Sequence, residues 1–80
     1  MEEKSDIQAQ IEALDAVIAR EATAEAYYQR GRLHWRAGNR GAAMSDYNRA
    51  VALDPDSPAA EALKLCNEIM DFYNTDLYNP

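Results

Sequence analysis

Four stretches of apolar residues at helical spacing are separated by connections of only two to five residues, and this spacing constrains the fold more than any other feature. A connection that short cannot span the length of a helix, so each helix has to run antiparallel to the one before it. The expected fold class is therefore all-α, an antiparallel helical stack of about four helices.

Each stretch carries its own start and stop signals. In the first, Ile7, Ile11, Leu14, Val17 and Ile18 draw one apolar stripe opposite Gln8, Glu12 and Asp15. Ser5 and Gln8 have capping-box spacing, which predicts a helix over residues 5–20. Thr23 is the next cap, with Glu25 in the first turn, and helix-compatible residues continue to Ala37. Gly38 suits the left-handed residue past a helix end, and Asn39 is placed to cap a third helix carrying Ala42, Ala43, Met44, Tyr47, Ala50, Val51 and Leu53. Asp54-Pro55 closes that helix, and Ser57-Pro58 opens a fourth, cap and first helical residue together. Its stripe of Ala62, Leu65, Cys66, Ile69, Met70 and Tyr73 predicts a helix ending near Asn74, with residues 75–80 as a tail.

At 80 residues the chain is expected to form one small domain. With 14 acidic against 8 basic side chains the net charge is −6, which opposes binding to nucleic acid or to anionic membrane. A single cysteine, Cys66, cannot make an internal disulfide, and residues 1–6 lack the basic start and apolar run of a secretion signal. These features point to a soluble protein of a reducing, cytoplasmic setting.

Residues 24–57 hold Tyr27, Gly31, Ala43, Tyr47, Ala50 and Pro55 at the spacing of six of the eight signature positions of a 34-residue helical repeat. On these residues the segment resembles a tetratricopeptide repeat. Each signature residue has a mechanical reason. Gly31 and Ala43 let two antiparallel helices approach, Tyr27 and Tyr47 fill the space beside them, and Pro55 stops the second helix. Arg30 stands where the repeat has leucine and His34 where it has tyrosine, and the expectation is that Arg30 lays its stem over the core and sends its charge to solvent. Stepping 34 residues back places Ala9 and Ala16 at the small sites of half a preceding repeat; stepping forward places residues 58–74 as a closing helix with Leu65 at the glycine site. The resemblance implies a protein-interaction scaffold that holds a peptide or protein segment in a groove lined by its first helices, and no catalysis.

The residues offer little to chemistry. His34, the one histidine, has no carboxylate or thiolate within a helical turn and reads as a packed core histidine. Cys66 lies on an apolar stripe and reads as a small hydrophobe. Asp54-Pro-Asp56-Ser starts like a calcium loop, but Ala59 and Leu65 stand where that loop needs glycine and a bidentate glutamate. No metal site, cofactor or enzymatic activity is expected. The charge pattern says more, because residues 26–45 contain Arg30, Arg32, Arg36 and Arg40 and no acid. Tyr28, Arg32, Trp35 and Arg36 fall on one stripe, which makes them the candidate partner-binding residues for an acidic or aromatic segment. The competing arrangement packs Trp35 under the last helix and pairs the arginines with Glu61, Glu68 or Asp71. Two further possibilities are a homodimer through open stacking faces and a fold-back of the acidic, aromatic residues 71–80 onto the Tyr28 to Arg36 stripe.

Overall fold

The computed structural model describes the backbone of residues 2–78 and the side chains of residues 6–69. The described residues form helices α1 (Glu2–Arg20), α2 (Ala24–Arg36), α3 (Arg40–Leu53) and α4 (Ala59–Tyr78), with no strand among them. Each helix packs chiefly on its sequence neighbours, α2 on α3 most closely. The Cα trace spans 47 × 35 × 15 Å, about two helix layers thick.

The breaks fall where the cap and stop residues stand. Thr23 has extended backbone and its side-chain oxygen accepts from the Ala26 N–H at 3.1 Å. At the end of α2 the chain makes a Schellman turn: the Gly38 N–H donates to the Trp35 carbonyl (3.1 Å) and the Asn39 N–H to the His34 carbonyl (2.8 Å). Gly38 has φ of 89°, a left-handed conformation that a side chain would strain. Asp54 Oδ1 accepts from the Asp56 N–H and Ser57 Oγ from the Ala59 N–H, each at 3.0 Å, so the turn around Pro55 and the start of α4 are both held locally.

Three local expectations need correcting. α1 starts at Glu2, which places Ser5 inside the helix rather than at its cap. Asn39 occupies the cap of α3 by position but makes no side-chain cap bond, its amide nitrogen lying 3.5 Å from His34 Nδ1 instead. α4 continues to Tyr78 rather than stopping near Asn74, because no glycine or proline stands between them. The fold-back expected of residues 71–80 involves side chains outside the described ones.

One buried cluster unites Tyr27, Ala43, Tyr47, Ala50, Ala59 and Cys66 from α2, α3 and α4; a second joins Ile7 and Ile11 of α1 to Leu33 of α2. Gly31 explains the closeness of α2 and α3. A Cβ there would lie 2.7 and 2.8 Å from ring carbons of Tyr47 and 3.2 Å from the Ala43 carbonyl oxygen. Ala9 and Ala16 do not fill the small sites that a 34-residue step assigns them; both are exposed. The stripe of α1 that packs inward, Ile11, Leu14 and Ile18, instead matches Met44, Tyr47 and Val51 of α3 at a spacing of 33. The α1–α2 connection, residues 21–23, is shorter than the α3–α4 connection, residues 54–58, which accounts for the slip.

Arg30 departs most from expectation. Its charge does not reach out to solvent: Nε and Nη2 donate to the two carboxylate oxygens of Asp46, both at 2.8 Å, and Nη1 donates to Asp15 Oδ1 at 2.7 Å. The Asp46 side chain is only 5% exposed, so an apolar burial of the Arg30 stem would have left a carboxylate without compensation. The bidentate pair ties α2 to α3, and Asp15 adds α1.

Two mutational outcomes follow from this packing. Gly31→Leu is expected to cost about 2 kcal/mol or more through overpacking against the Tyr47 ring, lowering Tm by roughly 10 °C. A wild-type melting curve would show that the helices do not approach at this residue. Arg30→Leu is expected to cost about 3 kcal/mol by stranding buried Asp46, whereas Asp15→Ala, at a half-exposed carboxylate, costs under about 1 kcal/mol. Urea melts of the two variants check the ranking, and adding Asp46→Leu to Arg30→Leu should recover much of the loss.

Candidate functional site

The outer face of α2 is what remains after Tyr27, Arg30, Gly31 and His34 have turned toward α3. Tyr28 is half-buried, its ring centroid 6.1 Å from that of Tyr47 at an interplanar angle of 39°. The exposed Arg32 places its guanidinium carbon 5.8 Å over the Tyr28 ring, and Arg40 does the same to Trp35 at 5.2 Å. Arg36 is exposed one turn beyond Arg32.

Two clefts flank this helix. Between α2 and α4 lies an apolar cleft of about 240 Å³, with Trp35 on one wall, Ala62, Leu65, Cys66 and Ile69 on the other and Tyr47 of α3 at its base. It exists because α2 and α4 both lean on α3 rather than on each other. Between α1 and α2 lies a cleft of about 390 Å³, in which Arg32 and Arg36 face Gln10, Ala13 and Leu14. The four sequence candidates are thus divided: Trp35 serves the apolar cleft, Arg32 and Arg36 the basic one, and Tyr28 packs on the core between them. Trp35 packs against the cluster containing Ala59 and Cys66 of α4 and still lines an open cleft. For Trp35, packing on that cluster and lining an open cleft do not exclude each other.

Leu65 and Ile69 were missed as lining residues, although they stand 34 positions after Gly31 and Trp35, where a second groove helix would present them. His34 also has a partner that local inspection could not find. Its Nε2 lies 4.0 Å from Asp46 Oδ2, a residue delivered by α3 from twelve positions away in the chain. The hydrogen bonds from Arg30 to Asp46, and then to Asp15, hold the guanidinium proton more tightly than usual against the opposing effect of burial. Burial pushes the Cys66 thiol up, with Arg40 pulling weakly the other way, so the group behaves as part of the wall. Burial pushes the Tyr47 hydroxyl up to about 12.

Among the described residues no group of three or more His, Cys, Asp or Glu side chains is placed to hold a metal ion, and no helix is long and apolar enough to cross a membrane. Compared with known families, residues 24–57 match the tetratricopeptide repeat. This segment is a tetratricopeptide repeat. In it α2 and α3 are the two helices of the repeat, with Gly31, Ala43 and Tyr47 at their contact. Repeats of this family are non-enzymatic and mediate protein–protein interaction. No curated protein and no solved structure matches the chain.

The burial of Tyr47 makes the repeat sensitive to alkali. Its folded-state pKa of about 12 lies above the model-peptide value of 10.0, so its contribution is fully present below pH 10 and is lost as pH rises through about 12. Cys66, displaced in the same direction, adds to that loss. Tyr47→Phe should therefore flatten the fall in stability between pH 10 and 12, read as Tm against pH. An unchanged alkaline profile would mean the hydroxyl is not buried.

Proposed function

We propose that the chain is a non-catalytic interaction module that holds a protein or peptide segment along the outer face of α2, and that the segment is acidic and aromatic. The observation that carries this reading is the adjacency of unlike clefts on one helix. Trp35 lines an apolar slot, and Arg32 and Arg36 stand on the same helix beside it. A ring or branched side chain of the partner enters between Trp35 and Ile69, while a carboxylate one or two residues away meets the Arg32 guanidinium bidentately and the charge of Arg36 adds to the attraction. The ring stack of Arg32 on Tyr28 fixes that side chain in advance, which reduces the entropy lost on binding. In a cytoplasmic setting Cys66 stays reduced and the slot keeps its apolar wall. The module then acts as a scaffold, joining the partner to whatever else the chain contacts.

A second reading, self-association into a homodimer through open stacking faces, is favoured by a different observation. Leu65 and Ile69 are 52% and 39% exposed on α4, a large apolar surface for a helix of so small a protein.

Trp35 is the chain's only tryptophan and reports directly on the slot. A synthetic peptide with the sequence of residues 71–80, Asp-Phe-Tyr-Asn-Thr-Asp-Leu-Tyr-Asn-Pro, serves as an acidic, aromatic probe. Its titration is expected to shift Trp35 emission saturably, with affinity falling about tenfold in an Arg32→Ala, Arg36→Ala double variant and falling again in high salt. A response that the two substitutions leave unchanged, or equal binding of a peptide with lysine in place of each aspartate, would overturn the reading.

A further inference from the structure

The cleft between α1 and α2 has the geometry of a vacant helix seat. In the repeat, α2 lies on α3, with Ala43, Asp46 and Tyr47 of α3 meeting Arg30 and Gly31, and Cys66 of α4 lines one cleft with Trp35. With the spacing of 33 found for α1 and of 34 for α2, the counterparts of Ala43, Asp46, Tyr47 and Cys66 one repeat earlier are Gln10, Ala13, Leu14 and Arg32. All four line the 390 Å³ cleft. No described helix covers it, and Val17 of α1, the counterpart of fully buried Ala50, is 44% exposed.

We propose that α4 of a second copy fills this seat, so that copies add head to tail and each junction completes a helix pair from α4 of one chain and α1 of the next. The face that α2 turns to α3 carries Tyr27, Arg30, Gly31 and His34; 34 residues later α4 carries Glu61, Lys64, Leu65 and Glu68, all exposed. The two surfaces are complementary in charge. The seat holds Arg32 and Arg36, and the α4 face holds two glutamates against one lysine. They are also complementary in bulk, since Leu65 occupies the position of Gly31 and Leu14 that of the larger Tyr47. Pairing of like with like is disfavoured: α4 on α4 sets Glu61 and Glu68 against their own kind, and seat on seat opposes arginines. A heterologous contact of this kind does not close on itself, so assembly is open-ended. Along it the apolar slot of one copy continues past Ile69 toward the next copy's Arg32, lengthening the groove by one repeat per chain.

The proposal deepens the self-association reading; the seat shares Arg32 and Arg36 with the peptide site, and its test reads mass rather than peptide affinity. Light scattering over a concentration series should give a weight-average mass that climbs above the 9.0 kDa of one chain without levelling at two copies. Leu65→Glu blocks the α4 face and Ala13→Glu blocks the seat; both positions are exposed, and circular dichroism should show unchanged helix content. Each variant alone is expected to remain a single chain. Mixed in equal amounts they should form one capped pair, the seat of the Leu65→Glu chain holding α4 of the Ala13→Glu chain. Failure of the mixture to pair, or a closed dimer that either variant retains, overturns the head-to-tail arrangement and leaves self-association standing. A mass of one chain at every concentration overturns both, whatever the outcome of the peptide titration.

Discussion

The bidentate contact of Arg30 with Asp46 decides how α2 is oriented, and most of the molecule's surface chemistry depends on that orientation. A planar guanidinium engages both oxygens of one carboxylate only when the two helices are rotated to bring residue 30 of α2 against residue 46 of α3. Once that rotation is set, Gly31 faces Tyr47, Leu33 faces α1, and Tyr28, Arg32, Trp35 and Arg36 are left on the outside. Asp15 extends the same charge contact to α1, so one arginine holds three helices in register. A buried ion pair of this kind gains little over an apolar pair in net stability, and its larger effect is to penalise every packing in which a partner is left alone.

Close approach and open space are two results of the same packing. Gly31 and the fully buried Ala43 bring α2 down onto α3 until the Tyr47 ring fills the gap, and Ala50 and Ala59 let α4 settle onto the other side of α3. Because α3 receives both neighbours through small residues, α2 and α4 meet chiefly at the Tyr47 ring between them and leave a slot above it. The slot is therefore a by-product of the core, and its depth is set by the aromatic ring that also sets the helix spacing. That coupling is why the burial of one tyrosine bears on both stability and the shape of the partner surface.

What the sequence made legible was whatever is encoded within one or two turns. Thr23, Gly38 and the Asp54 to Pro58 run mark the breaks because their side chains or φ preferences act on adjacent backbone. The repeat signature placed Gly31, Ala43 and Tyr47 at one contact because that contact is fixed by spacing within a single helix pair. Arg30 was misplaced because its partners lie 15 and 16 residues away, where sequence alone does not specify which carboxylate is turned inward. The slip of α1 by one residue escaped notice for a related reason: a 34-residue step finds alanines at Ala9 and Ala16 by composition, whereas the shorter connection places Ile11, Leu14 and Ile18 on the packing face. For the candidate site, the residue types on α2 were legible and their division between two clefts was not, since that depends on how far α1 and α4 stand from α2.

The arginines of this acidic chain show the same economy of position. Between residues 26 and 45, where no acid occurs, Arg30 stands over Tyr27 at 5.6 Å, Arg32 over Tyr28 and Arg40 over Trp35. Arg49 of α3 adds a second guanidinium over Tyr27 at 5.9 Å. A guanidinium stacked on a ring keeps its in-plane donors directed outward, so the stack orients the fork without consuming it. For Arg30 those donors point inward to Asp46 and Asp15 and the result is structural. For Arg32 the same device operates on the exposed side of the helix, where the side chain lines the cleft between α1 and α2. Lysine at either position would keep the charge and lose both the ring contact and the fork, so the distinction between Arg30 and Arg32 lies in what the fork is placed beside: carboxylates of α1 and α3 for the inner arginine, an open cleft for the outer one.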